Sequence, residues 1–171
     1  VSAQMIVGMD FWEKLIKQTF GYGQSTNQWV LVPSPFALNP FDLALMTATE
    51  PSPSSFQRIY ARRTFFLDSP IDRTTAKVFF DGKFDVTPVY WENFSQVTFY
   101  FYKGSQNLGY IYWHLGYLSH TNIPYSNGYF EREIGSAITD DPDRVVVILT
   151  AQAGYPGRAR MTVDNLGIKT S

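Results

Sequence analysis

Few side chains in this sequence are equipped for acid–base or nucleophilic chemistry, and their spacing limits what they could do. Cysteine is absent, which removes thiol catalysis, cysteine-ligated zinc and intrachain disulfides together. The two histidines, His114 and His120, lie in or just after an aromatic stretch with no carboxylate cluster beside them. That setting suits a hydrogen-bonded structural imidazole better than a transition-metal ligand or a catalytic base. No Gly-x-Ser-x-Gly elbow occurs. Glu131 and Glu133 share one face of a predicted strand, with Arg132 on the other. Glycosidases set two carboxylates across a sugar bond, but neighbours at i and i+2 on one strand are more commonly a solvated edge. The sequence therefore predicts a protein that is not an enzyme.

The residues best suited to chemistry of another kind are aromatic. In the segments QVTFYFY and GYIYWHL, alternation puts Val97, Phe99, Phe101, Ile111, Trp113 and Leu115 on one face. The other face carries Tyr100, Tyr102, Tyr110, Tyr112 and His114. Joining the two strands by a Lys103 to Leu108 loop sets Tyr102 opposite Tyr110 and Phe101 opposite Ile111. A row of rings with polar tips can stack on sugar faces and hydrogen-bond at the rim. The same row also fits a protein contact or internal packing under another part of the chain. Asn93-Phe94-Ser95 is a formal glycosylation sequon, which makes Asn93 a candidate acceptor.

Composition agrees with a strand-built binding domain. The 171 residues suit a single domain with an unstapled core, and the 17% aromatic content, with eleven Tyr, fourteen Phe and four Trp, favours pleated sheets. Net charge is −1, with acids and bases dispersed along the chain, so no phosphate-backbone footprint is expected and nucleic acid is not a predicted partner. No apolar run approaches the roughly 18 residues of a membrane span.

The elements that must position these residues are mostly strands. Beyond Ser54 the sequence predicts strands at 57–67, 74–81, 83–89, 96–102, 109–115, 128–134, 144–151 and 158–168, the spacing of an all-β sandwich. Asp81-Gly82 reads as a tight hairpin, with further turns at Asp140 to Asp143 and Gly154 to Gly157. Trp29 to Val32 reads as a first strand. Prolines from Pro33 to Pro53 then imply edge strand and irregular crossing, with a short helical turn at Phe41 to Met46. Residues 10 to 20 read as an amphipathic helix, with Asp10 and Glu13 as a capping box and Gly21 as its stop.

The C-terminal segment DDPDRVVVILTAQAGYPGRARMTVDNLGI resembles the closing strands of galactose-binding-domain-like jelly rolls, a group that includes many carbohydrate-binding modules. The likeness lies in a Val145 to Thr150 strand, a Gly-rich turn and a last strand carrying Asp164-Asn165 before Leu166. It implies a jelly-roll β-sandwich of two antiparallel sheets and a glycan or polysaccharide as ligand. It also implies a structural calcium ion, for which Asp164 is the candidate ligand, joined by Asp140, Asp141 and Asp143 if that turn takes part. Turn-forming aspartates account for the 140 to 143 cluster without an ion.

Two divisions of labour follow. Residues 1–24 form an N-terminal helical segment or assembly arm, and 25–171 the sandwich domain. The expected function is that of a non-catalytic extracellular, secreted binding domain of carbohydrate-binding-module type, using Tyr100, Tyr102, Tyr110, Tyr112 and His114. Val1-Ser2-Ala3-Gln4, with small residues of the sort found around signal cleavage sites, fits a processed N-terminus. The alternative is a self-assembling subunit of a filament, surface layer or shell whose partners are copies of itself. Phe11, Trp12, Leu15 and Ile16 would then dock on a neighbour across a hinge at Gly21 to Ser25.

Overall fold

The computed structural model describes residues 14–21, 24–31, 43–49, 55–67, 69–87, 93–116, 121–154 and 157–170. Ten strands run through them: β1 (Lys14–Gly21), β2 (Gln24–Leu31), β3 (Leu43–Thr49), β4 (Ser55–Phe66), β5 (Ala76–Thr87), β6 (Phe94–Lys103), β7 (Gln106–Leu115), β8 (Asn127–Glu133), β9 (Arg144–Gly154) and β10 (Arg158–Thr170). One sheet has six strands in the order β2-β1-β4-β9-β6-β7, the other four in the order β3-β10-β5-β8. All pairings are antiparallel. From β3 onward the chain passes from sheet to sheet, apart from the β6–β7 hairpin. The result is the jelly-roll β-sandwich that the resemblance implies. Among the described residues no helix is long and apolar enough to cross a membrane.

Strict alternation builds the core. Val97, Phe99 and Phe101 of β6, Ile111 and Trp113 of β7, and Val145, Val147 and Leu149 of β9 are buried on one inner face. Val78, Phe80, Phe84, Phe130, Met161, Val163 and Ile168 meet them from the other. Phe80 is the hub. Its ring stacks on Phe130 at 5.0 Å and 16° and meets Trp113 edge-on at 5.0 Å and 87°. Offset and T-shaped aromatic pairs of this kind stabilise beyond the area they bury, by about 0.5–1.5 kcal/mol each.

Four expectations need correction. Residues 14–20 are strand, not helix: β1 lies between β2 and β4, with Ile16 opposite both Leu31 and Tyr60. Ile16, Thr19 and Phe20 are β-branched or aromatic, so helix propensity is weak here, and pairing with strands on both sides takes the place of intrahelical hydrogen bonds. Phe11 and Trp12 lie outside the described residues. Leu43–Thr49 is likewise a strand rather than a helical turn, and it forms the edge of the four-stranded sheet.

The Asp81-Gly82 hairpin does not form, and β5 runs unbroken through it with Gly82 opposite Gly128 and Val163. Glycine is needed there for space rather than for a turn, since a Cβ would stand 2.6 Å from Phe80 Cε2. Last, the β6–β7 register is displaced by two residues. Tyr100, not Tyr102, faces Tyr110, and Phe99, not Phe101, faces Ile111. The turn closes at Gly104, whose φ of 58° suits glycine, and a bulge between Phe101 and Tyr102 absorbs the odd residue. A shift of two preserves the faces, so the core assignment survives the error in pairing.

Candidate functional site

On the outer face of the six-stranded sheet the register puts Tyr100 opposite Tyr110, Thr98 opposite Tyr112 and Gln96 opposite His114. Tyr110 is 55% exposed. Its ring lies 5.7 Å from that of Tyr100, tilted by 41°, and 6.1 Å from that of Tyr112, stacked within 29°. Neighbouring strands extend these rows. In β9, Val146 lies beside Tyr100, Ile148 beside Thr98 and Arg144 beside Tyr102. In β4, Thr64 lies beside Val146 and Arg62 beside Ile148. Together Arg62, Thr64, Tyr100, Tyr102, Arg144, Val146 and Ile148 line a groove of about 430 Å³. The Tyr102 ring is capped by the Arg144 guanidinium at 4.3 Å, a cation–π contact.

Not every predicted residue joins this surface. His114 is only 8% exposed. Its Nδ1 lies 2.7 Å from Gln96 Oε1, its ring stacks on Phe94 at 5.1 Å, and its backbone N–H donates to Asn122 Oδ1 at 2.7 Å. These contacts make it a packing residue at the end of the tyrosine row. His120 lies outside the described residues. Asn93 is fully buried, and its Oδ1 accepts the Gly154 N–H at 2.6 Å. In the folded chain its amide therefore faces the interior, closed to a glycosylating enzyme. The sequence reading missed Arg62, Thr64, Arg144, Val146 and Ile148 because β4 and β9 reach β6 only through sheet pairing. The alternation within VVVILT was visible, but not which neighbour it would serve.

A second depression, of about 510 Å³, opens at the sandwich edge between β7 and β8 and is lined by Tyr110, Tyr112, Glu131, Arg132, Glu133 and Ser136 among others. Arg132 lies across its floor. Its guanidinium sits 4.5 Å over the Trp113 ring and its Nη1 donates to the Tyr112 carbonyl at 2.9 Å. Burial lowers its pKa. Glu131 accepts from Lys169 Nζ at 2.6 Å and from the Tyr129 hydroxyl at 2.6 Å, with Lys77 Nζ at 3.5 Å. The hydrogen bond from Lys169, then that from Tyr129, pull its pKa down to about 2. A glycosidase acid needs the opposite, a carboxyl whose pKa is raised. Glu131 is therefore held as an anion, which does not suit it to the proton-donating role of such a pair.

The acidic turn is occupied by its own surroundings. Asp140 accepts from Lys103 Nζ at 3.0 Å and from the Asp141 N–H at 2.8 Å. Asp141 accepts the Arg73 N–H at 3.0 Å, and Asp143 the Gly104 N–H at 3.0 Å. Asp140 and Asp143 thus staple this loop to the β6–β7 turn and Asp141 ties it to the loop before β5, and the Asp141 N–H is the main cause of a lowered Asp140 pKa. Among the described residues no three His, Asp or Glu side chains converge as a metal site. Asp164 sits in β10 between Leu43 and Asp81 by backbone pairing; its side chain is outside what the structure describes.

No family model matches the chain, and no curated protein does. Among solved structures, the enzymatically active domain of bacteriophage CBA120 tailspike protein 4 is similar at TM-score 0.44 and 8% identity, covering 93% of this chain and 20% of that one. This chain thus spans about a fifth of the tailspike chain. The family 11 carbohydrate-binding module of the cellulosomal cellulase Lic26A-Cel5E of Clostridium thermocellum is similar at TM-score 0.41 and 11% identity, covering 100% and 96%. The xylan-binding module CBM15 is similar at TM-score 0.41 and 9% identity, covering 99% and 98%. None reaches a TM-score of 0.5, so none bears on what this chain binds.

Proposed function

We propose that this chain is a non-catalytic, extracellular binding domain that takes carbohydrate on the tyrosine face of its six-stranded sheet. The observation that carries the reading is the Tyr100–Tyr110–Tyr112 ladder standing beside an open groove. A sugar ring presents C–H groups on its faces and hydroxyls on its rim. An aromatic plane receives the faces, while Thr64, the tyrosine hydroxyls and the arginine N–H groups are placed for the rim. The described lining of the groove holds no carboxylate, histidine or serine, which favours binding over bond cleavage. The extracellular location is read from the ligand class.

An assembly role has less behind it. The described part of the N-terminal segment, Lys14–Gly21, is hydrogen-bonded into its own sheet on both sides.

The test is retention on a panel of immobilised polysaccharides, with the Tyr100→Ala/Tyr110→Ala double variant alongside. The wild type should bind at least one member, and the double variant should lose about tenfold or more while its far-UV and near-UV circular dichroism stay unchanged. A wild type that binds no polysaccharide, or a folded double variant that binds undiminished, refutes the reading.

A further inference from the structure

Charge is dispersed along the sequence and segregated in the fold. The strands of the six-stranded sheet contain no Asp or Glu, yet they carry Lys or Arg twice in β1, three times in β4 and once each in β6 and β9. Among the described residues the carboxylates lie in loops or in β5, β8 and β10 of the other sheet, and several of them neutralise cations in place. Asp85 pairs with Arg158 and Arg160, and Glu131 with Lys77 and Lys169. Among the described residues nothing comparable reaches the groove. Among the described residues neither Arg62 nor Arg144 has a carboxylate partner. The Arg144 Nε is buried and meets no hydrogen-bond acceptor.

The two arginines sit at opposite ends of the groove. Arg62 lies opposite Ile148, and Arg144 opposite Phe66, so the two are offset by four residues along the paired strands, about 13 Å at the rise of a β-strand. Between them lie Val146 and Tyr100, with Tyr110 on the next strand. The arrangement is an apolar and aromatic floor with a guanidinium at each end that has no carboxylate partner among the described residues. A guanidinium binds planar or tetrahedral oxyanions through parallel N–H donors, and its charge is worth more where it is partly desolvated.

We propose that the ligand of this face is an anionic glycan, whose sugar faces lie on the tyrosine floor and whose acidic groups are held by Arg62 and Arg144. The proposal rests on the carbohydrate reading above and names the ligand class. Carboxylate and sulfate groups share the chemistry required. Single-stranded nucleic acid is the competing polyanion, and it fits less well: two arginines in a groove do not track a phosphate backbone, and the whole chain has a pI of about 6.1.

The experiment uses the full chain at pH 7.5 against uronate polysaccharides (polygalacturonate, alginate, hyaluronan), sialylated glycans and sulfated ones (chondroitin sulfate, dextran sulfate). Each acidic member is paired with its carboxyl-reduced or desulfated form, and single-stranded DNA is added as a further arm. At least one acidic member should bind at least tenfold tighter than its neutral form, with affinity falling as sodium chloride rises from 50 to 500 mM. Arg62→Gln and Arg144→Gln should each cost about tenfold on it, equal to ~1.4 kcal/mol. Loss with carboxyl reduction identifies a carboxylate ligand, and loss with desulfation a sulfate; either supports the proposal.

Equal binding of neutral forms, or arginine variants that bind the acidic member like wild type, would overturn the anionic assignment while leaving the carbohydrate reading in place. Binding to no glycan at all removes both. DNA binding as tight as that of the best acidic glycan, with the same arginine dependence, replaces this ligand class with nucleic acid.

Discussion

Adding one methyl group at Gly82 should destabilise the domain, although Gly→Ala in an extended strand ordinarily does the reverse. The extended backbone of β5 accepts alanine, and the lost flexibility of the unfolded chain would by itself stabilise by about 0.4–1 kcal/mol. The packing opposes this. A Cβ on Gly82 would stand 2.6 Å from Phe80 Cε2 and 3.0 Å from Phe80 Cδ2. The Phe80 ring cannot swing away, because Phe130 and Trp113 each hold it with centroids at 5.0 Å and Phe84 and Phe99 close the remaining sides. Overpacking of a filled core costs about 1–3 kcal/mol, so the net loss should be ~1–2 kcal/mol. For a domain of this size that corresponds to a melting temperature lower by roughly 3–6 °C. Calorimetry would read it. The double variant Gly82→Ala/Phe80→Leu should lose less than the sum of the single losses, since the smaller side chain vacates the space. A Gly82→Ala domain that melts at or above the wild-type temperature would refute the packing argument, and with it the unbroken β5.

Other consequences are as direct. Glu131→Gln should remove a pH-dependent part of stability: a carboxyl held down to about 2 in the folded chain stabilises above its unfolded pKa and loses that contribution as pH falls towards the folded value. The wild type should therefore exceed the variant in urea midpoint at pH 6, and the gap should close between about pH 4.5 and 2; a gap independent of pH contradicts the ion cluster. Asn93→Ala should cost about 1–3 kcal/mol in urea unfolding, because it removes the buried hydrogen bond between the Asn93 Oδ1 and the Gly154 N–H. Arg132→Lys should cost less, about 1 kcal/mol, by exchanging a planar guanidinium over Trp113 for a point charge. A Trp113 fluorescence spectrum unchanged by that substitution would count against the contact.

The sandwich was legible because its pattern is local. Alternation in 96–102 and 109–115 assigns Phe99 and Trp113 to the core and Tyr100 and Tyr110 to the outside whatever the register, since a slip of two residues leaves every face in place. Pairing was not legible, because it depends on a turn at Gly104 and a bulge after Phe101 that no period announces. Residues 14–20 satisfy both a helical and a strand template over so short a run, and only pairing with β4 decides between them. Asp81-Gly82 carries the composition of a hairpin, yet the glycine is required by the Phe80 ring two residues earlier. The charge asymmetry was hidden for a related reason: strands of one sheet are scattered through the chain, so a sheet without carboxylates looks like mixed charge until the sheet is assembled.

The central claim, that the tyrosine face of the six-stranded sheet is the binding surface, is tested most directly by mapping amide chemical shifts while titrating an oligosaccharide of the best-bound polysaccharide. Shifts should centre on Thr64, Tyr100, Tyr110, Tyr112 and Val146, with Phe79, Asp85, Glu131 and Lys169 on the opposite sheet unmoved. Shifts concentrated on that opposite sheet, or at the loop ends with Tyr100 and Val146 silent, would contradict it.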